Sequence, residues 1–158
     1  MSSTLTRPHT AAPAGAVDPR GQRFAAAVTV AVLAAVLVVP APYDVVLLAG
    51  QAAVFALGAI RGAHATPYGA LFRRVVRPRL GPPREWEAPE PPRFAQGVGL
   101  VFALIGLAAL LAGATLVGQV AVGAALTAAL LNAAFGFCLG CEVYLLGRRA
   151  LARTIATA

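Results

Sequence analysis

Lysine is absent from this sequence of 158 residues and acidic side chains number only six, so all thirteen basic residues are arginine. Charged residues make up 12% of the chain, against about 25% in soluble domains. No Ser/His/Asp set, no phosphate-cradling glycine loop and no paired carboxylates within an apolar run occur, which argues against a hydrolase, a nucleotide enzyme and a proton-coupled pump. Cysteine occurs only twice, so a metal site would need two further ligands from elsewhere. Arginine in place of lysine, with abundant Ala, Gly and Pro, suggests a GC-rich bacterial genome.

What is present is apolar sequence, 59% of the chain, in unbroken blocks. Neither the alternation of a half-exposed strand nor the stripe of an amphipathic helix organises them, so the surface they cover must face lipid. The blocks predict an all-α, polytopic membrane protein with four transmembrane helices at about 24–39, 45–60, 94–112 and 114–135, the last with a helical extension to 147. The first two blocks have 16 residues each. At 1.5 Å per residue that is about 24 Å, short of the ~30 Å hydrocarbon core, so these helices are expected to extend or to use snorkelling flanks. The fourth block carries no charge until Glu142 and is too long for one span, so it must tilt, protrude or break, with Gly136 and Gly140 the weakest points.

Arginine sets the orientation. Arg7, Arg20 and Arg23 precede the first span, seven arginines lie between Arg61 and Arg93, and Arg148, Arg149 and Arg153 follow the last. With four spans all thirteen fall on one side, which the positive-inside rule makes cytoplasmic. This is the expectation of a multi-pass plasma (inner) membrane protein with both termini in the cytoplasm. The same placement beside apolar blocks explains the net charge of +7 without nucleic acid; the partner it calls for is the lipid bilayer.

The chain also repeats itself. Arg23-Phe24-Ala25 opens the first span and Arg93-Phe94-Ala95 the third, and each half closes on an aromatic and glycine stretch with paired arginines, Arg73-Arg74 and Arg148-Arg149. The four spans therefore read as two pseudo-repeated helical hairpins in the same orientation. A first helix with a counterpart is structural, which sets aside a cleavable signal peptide. Small residues at Ala27, Ala31 and Ala35, and at Ala121, Ala125, Ala129 and Ala133, have the spacing of close helix packing; a homo-oligomer is left open.

Residues 1–22 read as a disordered cytoplasmic tail, 23–149 as the membrane domain, 61–93 as its cytoplasmic loop and 150–158 as a cytoplasmic C-terminal tail. Between Gly69 and Leu80, the apolar Leu71, Phe72, Val75, Val76 and Leu80 oppose Arg73, Arg74 and Arg77, the pattern of a short interfacial amphipathic helix.

Cys138-Leu139-Gly140-Cys141-Glu142 holds both cysteines in a C-x-x-C spacing at the cytoplasmic end of the fourth span. Thiols this close can form a disulfide or share a metal ion. On a continuous helix Cys138, Cys141 and Glu142 share one face, near a C-terminus that disfavours thiolate; a break at Gly136 would put the pair at the start of a second helix, which favours it. Cys138, Cys141 and Glu142 are thus the candidate catalytic residues, for thiol redox or persulfide relay. Small packing residues without chemistry are the plainer reading. His64 and Glu142 are poor further ligands, and no metal or cofactor is assigned. Asn132 and Gln119 read first as interhelical hydrogen-bonding groups, second as the lining of a polar path. The alternative function is a non-catalytic membrane subunit or scaffold that binds a cytoplasmic partner through the Arg-rich loop.

The motifs Val17-Asp18-Pro19-Arg20, Thr66-Pro67-Tyr68-Gly69, Phe72-Arg73-Arg74, Arg77-Pro78-Arg79-Leu80-Gly81, Pro92-Arg93-Phe94-Ala95-Gln96 and the run from Asn132 to Glu142 resemble domain-of-unknown-function family 4395, integral membrane proteins common in actinobacteria. The resemblance carries no assigned activity. It implies association with a thioredoxin-like or sulfurtransferase protein.

Overall fold

The computed structural model describes residues 16–83 and 85–156, and the part of the expected tail up to residue 15 lies outside them. Helix α1, Pro19–Val38, begins five residues before the apolar block because Asp18 caps it: its carboxylate accepts the Arg20 backbone N–H at 3.0 Å, and Pro19 occupies a first-turn position where no N–H is needed. Residues 19–22, expected in the tail, are therefore the first turn of a helix. With 20 residues, α1 reaches about 30 Å, which removes the shortfall of the apolar block alone. Helix α2 spans Tyr43–Arg61 and stops at Gly62, whose φ of 92° an L side chain rarely adopts.

The interfacial segment is less regular than its pattern suggests. It comprises a 3₁₀ turn at Ala63–Ala65, helix α3 at Pro67–Leu71, a π-type turn at Phe72–Val76 and a 3₁₀ turn at Arg77–Arg79. Pro78 supplies no N–H to continue an α-helical ladder. Only Phe72 of its apolar side chains is buried, against Phe24 of α1 at 5.8 Å between ring centroids; Leu71, Val75 and Leu80 are exposed. The extended chain that follows is pinned to the start of α1 by reciprocal backbone hydrogen bonds between Val17 and Glu87.

Helix α4, Glu90–Leu111, carries Pro91 and Pro92 in its first turn, and α5 runs from Thr115 to Phe135. Helices α1, α2, α4 and α5 are long and apolar enough to cross a membrane. The fourth apolar run breaks: Gly136 sits at φ 70°, with its N–H and that of Phe137 bonded back to the last carbonyls of α5, and a separate helix α6 spans Leu139–Ala156. The expected extension to 147 and most of the expected C-terminal tail are therefore one amphipathic helix.

The hairpins interlock. α1 packs chiefly on α5 and α2 on α4, so each hairpin's first helix lies against the other's second. The core is Leu33, Val36, Leu48, Ala52, Phe55, Ala103, Val122 and Ala125. The Ala121/Ala125 stripe of α5 is buried as its spacing predicts, but Ala27 and Ala31 are exposed, and α1 packs through Ala25, Ala26, Thr29, Leu33 and Val36 instead.

The pseudo-repeat holds at the level of contacts. Arg23 donates to the carbonyls of Ala133 and Ala134 at the end of α5, and Arg93 to those of Ala59 and Ile60 at the end of α2. Phe72 of the π-type turn that continues α3 lies on Phe24, and Tyr144 of α6 lies on Phe94 at 5.6 Å. All eleven described arginines lie at the same end of the bundle as the two cysteines.

Candidate functional site

The break at Gly136 decides what the cysteines are. α6 begins immediately after Cys138: the Glu142 N–H donates to the Cys138 carbonyl at 3.0 Å, and the Cys141 N–H donates to Cys138 Sγ at 3.4 Å. Cys138 is thus the N-cap residue of α6 and Cys141 lies in its first turn. The first half of the chain has the same construction, with Thr66 Oγ1 accepting the Gly69 N–H at 3.1 Å and the Thr66 carbonyl accepting the Ala70 N–H. Three residues separate Gly62 from Thr66 but only one separates Gly136 from Cys138. This small gap is what obscures Thr66 and Cys138 as structural counterparts in the sequence.

The two sulfurs are joined as a disulfide, with Cα atoms 5.2 Å apart. Their position is fixed from α4: a Cβ on Gly140 would lie 2.7 Å from Ala95 Cα and Cβ, closer than van der Waals contact allows. Glycine between the cysteines therefore lets α6 rest directly on α4. From the other side Arg23, bonded to the last turn of α5, passes about Gly136. Glu142 contributes its backbone N–H; its side chain is exposed, and among the described residues its carboxylate has no hydrogen-bond partner. Cys138 is not one of three side chains on a continuous helix face, because it precedes the helix.

Cys138 also lines a cavity of about 290 Å³ between α1, α4 and α5. Its walls are mostly apolar, with polar groups from Gln22 and Thr29 on α1, Gln96 on α4 and Asn132 on α5. Gln22 is 8% exposed and donates to Glu87 at 2.7 Å, while Thr29 is 6% exposed. Among the described residues the side chains of Thr29, Gln96 and Asn132 have no hydrogen-bond partner. Asn132 therefore lines a polar-dotted cavity rather than bonding between helices, and Gln119 is exposed on α5, without an interhelical bond among the described residues. Gln22, Thr29 and Gln96 were not singled out by the sequence as one site, because α1 carries the first two and α4 the third, and only packing brings the two helices around one space.

Gln22 also borders a second cavity, of about 300 Å³, with Asp18, His64, Arg73, Arg77 and Trp86. His64 thus borders this second cavity and not the one that Cys138 lines. Burial pushes the Asp18 carboxyl up, but hydrogen bonds from the Arg20 guanidinium and backbone N–H, with the charges of Arg20 and Arg77, outweigh it and hold the group below its usual value. Tyr68 donates to Gln51 Oε1 at 2.7 Å, and burial raises its phenol above the ordinary range.

A family model described as a domain of unknown function (DUF4395) matches residues 17–149. No curated protein and no solved structure matches the chain.

Proposed function

We propose that this chain, which belongs to the DUF4395 family, is a membrane-embedded thiol–disulfide exchange protein whose Cys138–Cys141 pair reacts with a dithiol partner at the arginine-rich end. The observation that carries the reading is the start of α6 at the cysteines: a helix N-terminus presents free N–H groups and partial positive charge, which stabilise a thiolate leaving group. A thiolate of the partner attacks Cys141 Sγ, the intramolecular S–S bond breaks, and Cys138 leaves as thiolate. The partner's second thiolate then attacks its own mixed-disulfide sulfur and expels Cys141. The partner has lost two electrons and two thiol protons, and the chain has become a dithiol. Cys141 is assigned to the partner because Cys138 alone of the two lines the intramembrane cavity.

The positive-inside rule places this end in the cytoplasm, with both chain ends, and a thioredoxin-like protein is the partner of matching chemistry. In membrane vesicles, a cysteine-reactive polymer reagent applied to the cytoplasmic side is expected to label the reduced wild type twice. A thioredoxin-like protein whose second cysteine is replaced by serine cannot expel Cys141 and is expected to accumulate as a mixed disulfide with the chain, which Cys138→Ser and Cys141→Ser each abolish by removing the disulfide it attacks. A double Cys→Ser variant that binds the same partner unchanged, or labelling from the outer side alone, would sink the proposal.

A further inference from the structure

We infer that the cavity beside Cys138 is the binding site of a lipid-soluble quinone, which exchanges two electrons with the cysteine pair; this rests on the thiol-exchange reading above. The occupant's chemistry follows from the walls. No charged side chain lines the cavity among the described residues, so a fatty acid or a headgroup phosphate would lose its water without a counter-charge. The occupant is neutral. Thr29, 6% exposed, Gln96 and Asn132 offer unpartnered hydrogen-bonding groups from three different helices, around apolar surface supplied by Phe55, Phe102 and the alanines of α5. A flat apolar ring with carbonyl oxygens at opposite edges satisfies such donors.

Access is from the bilayer. α4 and α5 touch near their connecting turn, where Gly106 and Gly118 face one another, whereas toward the cysteine end the cavity lies between them, with exposed Phe102 and Ala124 at its edge. Its volume is at the small end for ligand sites and suits a ring headgroup whose isoprenoid tail stays in lipid. Cys138 at its end supplies the reacting atom.

The Cys138 thiolate adds to a ring carbon of the quinone, forming a C–S bond, and one ring oxygen takes up a proton. Cys141 thiolate attacks Cys138 Sγ; the S–S bond forms, the C–S bond breaks, and its electron pair returns to the ring, which takes a second proton as hydroquinone. The two thiols supply both electrons and both protons. Coupled to partner exchange at Cys141, the chain passes electrons from a cytoplasmic dithiol to the membrane quinone pool.

The test uses the full chain, reduced and placed in nanodiscs, mixed without oxygen with a short-tailed naphthoquinone or benzoquinone while quinone absorbance and free thiols are followed. One quinone reduced for each pair of thiols lost is expected. Cys138→Ser is expected to abolish the reaction, and Asn132→Leu or Gln96→Leu to raise the KM for quinone about tenfold, the weight of one hydrogen bond at the strong end of its range, with less effect on kcat. Gln119→Leu, on the exposed side of α5, is expected to match the wild type. Unchanged KM in both cavity variants, or equal rates with a charged water-soluble oxidant such as ferricyanide, overturns the quinone site. Disulfide exchange with a thioredoxin but no quinone reduction overturns the site and leaves the exchange reading standing; absence of both overturns the two together.

Discussion

Gly136 and Gly123 give the same substitution opposite signs, and the difference measures whether α5 and α6 are separate helices. A Cβ on Gly123 meets nothing within 4 Å, in the interior of α5. Gly123→Ala therefore gains helix propensity without a clash, about 1 kcal/mol of stabilisation. A Cβ on Gly136 meets only Arg23, at 3.7 Å or more, so space is again no obstacle. Here the backbone is left-handed, with φ 70°, and an L side chain in that region costs about 1–2 kcal/mol. The two alanine variants should therefore differ by about 2–3 kcal/mol. Unfolding of the detergent-solubilised protein by a denaturing detergent, followed by circular dichroism, reads the difference. Equal stabilisation by both substitutions would mean that one unbroken helix runs through the cysteines, and the N-terminal placement on which the thiol chemistry depends would be wrong. If Gly136→Ala relieves its strain by straightening, Cys138 ceases to be a cap and disulfide exchange should slow along with the structural change.

Three further outcomes follow from the repeat and the caps. Arg23→Gln and Arg93→Gln each remove hydrogen bonds to the end carbonyls of one helix; both are solvent-accessible and should cost about 1 kcal/mol or less, with similar losses in the two variants on the same unfolding assay, and a loss confined to one would contradict the equivalence of the halves. Thr66, 2% exposed, accepts the buried Gly69 N–H and donates to the Ala63 carbonyl, so Thr66→Ala should destabilise by about 1–2 kcal/mol and Thr66→Ser by much less. Asp18 is held below its usual carboxylate value in the folded chain, so its stabilisation is full above the ordinary carboxylate range and is lost as pH falls through the lowered folded value; Asp18→Asn should flatten the acid side of the stability profile, and an unchanged profile would show that the Arg20 interaction is not formed.

The helices that cross and the end that carries arginine were legible in the sequence, because in lipid an apolar run of about twenty residues has one solution for its backbone polar groups and charge has only the ends to occupy. The repeat was legible at Arg23-Phe24 and Arg93-Phe94, where spacing is conserved between the halves, but Thr66 and Cys138 as counterparts were not, since neither their residue types nor their offsets match. The start of α1 was misplaced by reading only its apolar part, although Asp18-Pro19 is a capping sequence. The small-residue stripe Ala27/Ala31 was misleading because alanine is so common in this chain that its spacing selects no face.

Sequence alone determined that this is an all-α chain with four helices long and apolar enough to span a membrane, and with both cysteines three positions apart beside arginine-rich ends. Only the tertiary structure decided that those cysteines begin a helix rather than end one, because the choice at Gly136 depends on how α6 is held. Gly140 against Ala95, Tyr144 on Phe94 and Arg23 on the end of α5 turn the chain at a residue that could equally have continued straight. The cavity belongs to the same class of fact: Thr29, Gln96 and Asn132 are unrelated in sequence and meet around one space because α1, α4 and α5 converge beside Cys138.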